Sequence, residues 1–207
     1  MAVTHESDGS TAVSPRRGRP PDLAKRKAIL DATREVLADV GYTGLTIDAV
    51  AQRANSNRVL VYRVWDSKVA LVCDAIFGSA DRLVVPDTGS LSKDLRQFIG
   101  QLVVHMSLPA YVKGAPGVTV EMLGDPALFR ETWRRYVRPA EDGFAKILER
   151  GRERGEVTGT VDPWLLTRVV SGITTNLAQT ERLSPAEITD LILATFVDGL
   201  VPSAAPT

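Results

Sequence analysis

The sequence is poor in the residues that staple small folds and drive catalysis. Cys73 is the single cysteine among 207 residues. That excludes an intrachain disulfide and fits a reducing compartment. There are two histidines, His5 and His105, and His5 lies in a polar N-terminal stretch. No HExxH, GxSxG, P-loop or GxGxxG pattern stands in a fitting context, so an enzyme is not expected, and neither a metal site nor a cofactor is implied. Glu141, Asp142 and Glu149 read as a solvated helix face rather than an acid/base pair. No run approaches the ~18 consecutive apolar residues of a membrane span. The opening MAVTHESDGSTAVSP has no apolar core of a secretory leader. A cytoplasmic protein is expected. Net charge is also missing: 25 Lys and Arg balance 25 Asp and Glu, which on its face disfavours a nucleic-acid partner.

The balance hides a segregation. Residues 15–68 hold eleven basic and six acidic residues, a net of +5, whereas residues 69–207 carry −3 and residues 1–14 carry −2. A basic N-terminal module thus precedes a mildly acidic body. Residues 1–21 lack apolar periodicity and are rich in Ser, Thr, Gly, Pro and Arg, the composition of a disordered arm. Beyond them the periodicity is helical almost to the end. Ile29, Leu30, Thr33, Val36, Leu37 and Val40 recur at spacings of three and four, and Gly41 supplies a stop that tolerates positive φ. Thr46, Asp125-Pro126, Asp162-Pro163 and Ser184-Pro185 each offer a capping oxygen, three of them before a proline at the first helical position; Glu187 completes a capping box with Ser184. The expected fold is all-α, about nine helices: 22–41, 46–53, 57–63, 67–84, 90–107, 113–123, 126–154, 162–180 and 185–200. Pro139 should kink or divide the seventh.

Residues 46–65, TIDAVAQRANSNRVLVYRVW, form two short helices around a turn at Asn55-Ser56. Ile47, Val50, Ala51 and Ala54 face inward from the first, and Val61, Val64 and Trp65 from the second. Asn57 is the natural N-cap of the second helix. The pattern fits a helix-turn-helix, and equally an αα-corner in a helical bundle.

The flanks carry more. Ile29-Leu30-Asp31-Ala32, Gly41-Tyr42, Leu45-Thr46-Ile47, Val50-Ala51, Arg53-Ala54, then Tyr62-Arg63-Val64-Trp65, Ser67-Lys68 and Leu71 occur in order within residues 22–77. This segment resembles the N-terminal domain of the TetR family of transcriptional regulators. Pro86-Asp87-Thr88-Gly89-Ser90-Leu91 with Asp94-Leu95, and Arg154-Gly155-Glu156-Val157 before Val161-Asp162-Pro163, resemble one TetR-type C-terminal domain. The family pattern is not followed everywhere: Asn55 replaces a turn glycine, Ser56 an apolar core plug, Val59 a small residue and Leu60 a hydroxyl.

The resemblance implies an N-terminal three-helix DNA-binding domain joined to a helical ligand-binding and dimerisation domain. The expected division is a basic arm over 1–21, a helix-turn-helix domain over 22–66 and an effector and dimerisation domain over 67–202. The expected partners are a palindromic double-stranded operator, a small hydrophobic effector and a second copy of the chain, with no membrane; release of a repressor by the effector is the default mode. Expected DNA contacts are Asn57, Arg58 and Val59 at base edges, Arg58 toward guanine, with Thr46, Tyr62, Arg63 and Lys68 near the backbone. Arg16, Arg17 and Arg19 would follow a minor groove. Candidate effector contacts are Phe98, Leu102, His105, Met106, Met122, Phe129, Trp133, Val137 and Trp164; His105 reads as a satisfied helix histidine first. The candidate dimer face is Leu165, Leu166, Val169, Val170, Ile173 and Leu177 with Ile188, Leu191, Ile192, Thr195, Phe196 and Gly199. The alternative is a helical ligand-binding or scaffold protein with a weakened DNA-binding head.

Overall fold

The computed structural model describes residues 23–78, 83–157, 159–180 and 182–197. Among these, all regular structure is helical: α1 (Leu23–Gly44), α2 (Ile47–Arg53), α3 (Arg58–Val64), α4 (Lys68–Phe77), α5 (Leu91–Met106), α6 (Pro109–Gly124), α7 (Pro126–Thr132), α8 (Arg138–Glu153), α9 (Pro163–Ala178) and α10 (Pro185–Ile192). A π-helical segment, Trp133–Val137, joins α7 to α8 without a break, and a second, Leu193–Val197, extends α10. With 126–153 counted as one rod, nine helical rods stand among the described residues, the expected number. None is long and apolar enough to cross a membrane.

Local chemistry sets most of the boundaries. Gly41 adopts φ 70° and ψ −176°, so α1 breaks there before a last turn to Gly44. Thr46, Asn57, Ser67, Asp125, Asp162 and Ser184 each accept a first-turn N–H, and Ser184 and Glu187 form the full capping box. Two boundaries differ from expectation by more than three residues. The sixth helix begins at Pro109, not 113, because proline fits the first turn after an extended Leu108. The fourth is α-helical only to Phe77, and residues 83 and 84 are non-helical. Pro139 does divide the seventh rod, but upstream of itself. It lacks the N–H that Arg135 would receive, and the chain widens one residue early so that the Arg138 N–H reaches the Trp133 carbonyl.

Two apolar cores result. The first joins α1, α2, α3 and α4 with Ala110, Ala115 and Val118 of α6, so it runs past residue 66 into the body. The second joins α5, α8, α9 and α10 around Phe98, Phe144, Ile147 and Ile188. The two body motifs, some 65 residues apart, meet at its edge: Leu91 N–H donates to Glu156 at 2.5 Å, and Arg154 lies 3.8 Å from buried Asp94, which also receives Thr88 N–H and Oγ1 at 2.8 and 2.7 Å.

Candidate nucleic-acid interface and effector cavity

The turn between α2 and α3 is built by Asn55. Its φ of 47° is the one positive value on a non-glycine among the described residues. Ser56 N–H reaches Ala51 O at 2.8 Å and Asn55 N–H reaches Gln52 O at 3.1 Å, the paired bonds of a Schellman ending. Asparagine therefore does what the family's glycine does. Ser56 fits less well, since its Oγ is buried without a hydrogen-bond partner among the described residues. Val61 and Trp65 anchor α3 in the core, whereas Val64, expected inward, is 41% exposed.

The opposite face of α3 is open. Asn57, Arg58, Val59, Tyr62 and Arg63 are all exposed, Val59 at 69%. Arg58 lies 3.6 Å from Asp48 and 5.2 Å from the Tyr62 ring centre, contacts that a base edge could replace. Thr46 is exposed at the start of α2. Lys68 Nζ sits 4.4 Å from the Tyr42 ring centre. Tyr42 in turn packs against Gly117 of α6, where a Cβ would come within 2.2 Å of the ring, and its hydroxyl donates to Glu121 at 3.1 Å. Arg16, Arg17 and Arg19 lie outside the described residues.

Between α4, α5, α6, α8 and α9 lies a narrow apolar slot of about 70 Å³. Of the nine candidate effector contacts, Leu102, His105, Met106 and Val137 line it. Phe77, Leu83, Tyr111, Tyr136, Ala140, Thr167, Val170 and Ser171, which the sequence did not single out for this role, complete its wall. The other five candidates lie elsewhere. Phe98 is fully buried in the second core, edge-on to Phe144 at 4.9 Å. Met122 packs on the first core. Phe129, Trp133 and Trp164 surround the exposed Arg168 guanidinium at 5.6, 4.3 and 5.1 Å. Helical spacing marks a side chain as apolar-facing, not which apolar neighbour it meets. His105 Nε2 lies 2.7 Å from Ile76 O, and burial pushes its pKa down, so the ring is neutral.

One carboxylate connects slot and reading helix. Asp74, 6% exposed on α4, receives Arg26 of α1 at 2.5 Å, the Trp65 indole N–H at 2.9 Å and the Tyr136 hydroxyl at 3.2 Å, with Arg135 at 3.7 Å. Burial works to raise its pKa, but the bonds from Arg26 and Trp65 prevail and hold it below the usual carboxylate value. Trp65 caps α3 and Tyr136 belongs to the slot wall, so the reading helix and the slot share this group.

The last two helices carry their apolar residues on two sides. Leu166, Val170, Ile188 and Ile192, expected at the dimer face, point into the chain's own core. A stripe this wide divides between inside and outside. Leu165, Leu191 and Phe196 remain 54%, 45% and 39% exposed. Ile173, Leu177, Leu191, Thr195 and Phe196 border a groove of about 400 Å³ beside Gly172; Val169 is half-buried. Gly199 lies outside the described residues.

Comparison with known proteins agrees with this architecture. Residues 29–74 match the model of bacterial regulatory proteins of the tetR family, and residues 85–195 match the tetracyclin repressor-like C-terminal domain. The HTH-type transcriptional regulator YdeS of Bacillus subtilis is 32% identical over 154 residues, covering 71% of this chain and 74% of the relative. The DNA-binding transcriptional repressor TetR of Mycobacteroides abscessus is 29% identical over 152 residues, covering 72% of this chain and 79% of the relative. A crystal structure of a TetR-family regulator from Rhodococcus superposes with a TM-score of 0.66 at 20% identity, over 86% of this chain and 99% of that one.

Proposed function

Because the chain belongs to the TetR family of DNA-binding transcriptional regulators, we propose that it works as a homodimeric repressor that a small hydrophobic effector releases from a palindromic operator. Members of this family are regulators and not enzymes. The observation that carries the reading is the exposed end of α3: Asn57, Arg58, Val59, Tyr62 and Arg63 are presented together on a helix whose other face is locked in the core. In this reading Asn57, Arg58 and Val59 meet base edges, while Thr46, Tyr62, Arg63 and Lys68 hold the backbone. The arm carrying Arg16, Arg17 and Arg19 enters an adjacent minor groove. The repressor mode is supported by the mycobacterial relative's description as a repressor.

The outward residues of α9 and α10 support a two-fold pairing with a second copy, which sets the separation of the two α3 helices at about one DNA turn, ~34–36 Å. Domain roles follow: residues 1–21 as arm, 22–66 as reading head, 67–202 as sensor and dimer body. The effector shifts a pre-existing balance between dimer geometries, by no more than its difference in affinity for the two.

A mobility-shift titration against the promoter next to the protein's own gene tests this. Binding at low salt is expected, and Arg58→Ala should cost ~1–3 kcal/mol and relax preference at one half-site position. A uniform loss over all sequences would make Arg58 a phosphate contact instead. Absence of any shift would favour the second reading, a helical sensor with a weakened head. The buried, unpartnered Ser56 hydroxyl is the observation that speaks for that alternative.

A further inference from the structure

The apolar slot is far smaller than the ~300–1,000 Å³ that ligand sites usually enclose. A cleft of about 760 Å³ adjoins it, sharing Leu83 and His105, between the N-terminal half of α1 and the C-terminal half of α5. Part of its lining is apolar, with Leu30, Leu83 and the exposed Val104 and Leu108. The rest is not. Arg26, Lys27 and Arg34 border it, and Arg26 and Arg34 continue into a smaller recess with Arg135 and Asp74.

Among the described residues, four cations here face two carboxylates. Lys27 and Arg34 share Asp31, at 2.6 and 2.7 Å, and Arg26 and Arg135 share Asp74. Neutral His105 adds no charge. Among the described residues, the cations thus exceed their carboxylate partners by two, beside an apolar lining. From this juxtaposition we infer that the effector is an amphipathic anion whose acidic head lies among Arg26, Arg34 and Arg135, in the recess they share, and whose apolar part covers the apolar lining of the cleft toward the slot. The inference deepens the effector reading above and rests on it.

The placement supplies a mechanism. An anion beside Arg26 competes with Asp74 for that guanidinium. Asp74 also holds Trp65, the residue that ends α3. Head binding thus loosens the anchor of the reading helix, and binding to the released geometry is favoured over binding to the DNA-competent one.

Calorimetric titration of the full-length protein with decanoate, decanol and acetate separates head from tail. Decanoate should bind at least tenfold more tightly than either. Arg34→Gln should remove that advantage and leave decanol unchanged, while Arg34→Lys keeps most of it. Arg135→Gln, at a half-exposed side chain with no hydrogen bond to Asp74, provides the same test should Arg34→Gln fold poorly. Saturable decanoate binding in the wild type should also lower its affinity for operator DNA. Equal binding of decanoate and decanol, no saturable decanoate binding, or a preference that survives both glutamine variants would overturn the inference. Intact promoter binding alongside such a result would leave the regulator reading standing. Decanoate selectivity without any promoter binding would instead support the anion site and count against the regulator reading.

Discussion

Replacing Asp74 with alanine should unfold the protein about 3 kcal/mol more easily and abolish tight operator binding. Removing one member of a buried ion pair costs ~3–5 kcal/mol because the other is left uncompensated. The lower end applies here, since Arg26 is about one-third exposed and can turn to water. The Trp65 indole N–H cannot, because Trp65 is 5% exposed; it would be left without a partner in the core. The operator effect follows from position, since Trp65 ends α3. Asp74→Asn keeps the acceptor and the shape, so it should retain more stability than alanine yet release Arg26. Denaturant midpoints and mobility shifts on both variants check this. The pH dependence has a fixed sign. The folded carboxyl titrates below its ordinary value, so its contribution is complete at neutral pH and fades as pH falls through the folded value. Asp74→Asn should lack that acid-limb component. An alanine variant with wild-type midpoint and operator affinity would remove Asp74 from any coupling role.

Phe98→Ala should destabilise the body by ~3–5 kcal/mol, the cost of emptying a packed aromatic site. The ring is fully buried, edge-on to Phe144, and seated on Gly143, where a Cβ would lie 2.3 Å from its Cζ. Gly143→Ala alone should also destabilise, by overpacking. Combined with Phe98→Leu it should cost less than the sum of the single changes, because the smaller side chain vacates the space the new methyl needs. Urea unfolding of the wild type and these four variants (Phe98→Ala, Phe98→Leu, Gly143→Ala and the double change) at constant m-value is the measurement. A side chain lining a ligand slot would behave differently, changing effector affinity with little loss of stability.

These two residues also show what the sequence could and could not reveal. Helix starts were legible because capping is local: Thr46, Asn57, Asp125, Asp162 and Ser184 lie within three residues of the groups they satisfy. The head was legible through its ordered run of family residues. Phe98 was misplaced because an apolar period does not say which of two apolar neighbours it serves. Tyr136 and Asp74 were missed because they meet across 62 positions, at a register the π-helical segment before Pro139 sets. One signal was present: a carboxylate within Leu71-Val72-Cys73-Asp74-Ala75-Ile76 is rarely buried without a built set of partners. The dimer stripe was legible as wide, but its division into inner and outer residues needed the fold.

The lone cysteine turns out to be a clock. Cys73 is 3% exposed on α4, its sulfur 3.9 Å from the Thr132 hydroxyl of α7, and burial pushes its thiol up to about 11. A thiol reagent can reach it only when the packing around α4 opens, locally or with the whole fold, so its labelling rate counts those openings. Labelling should be slow in the resting protein and faster in Asp74→Ala. With no other thiol in the chain, every labelling event reports from this one position in the first core.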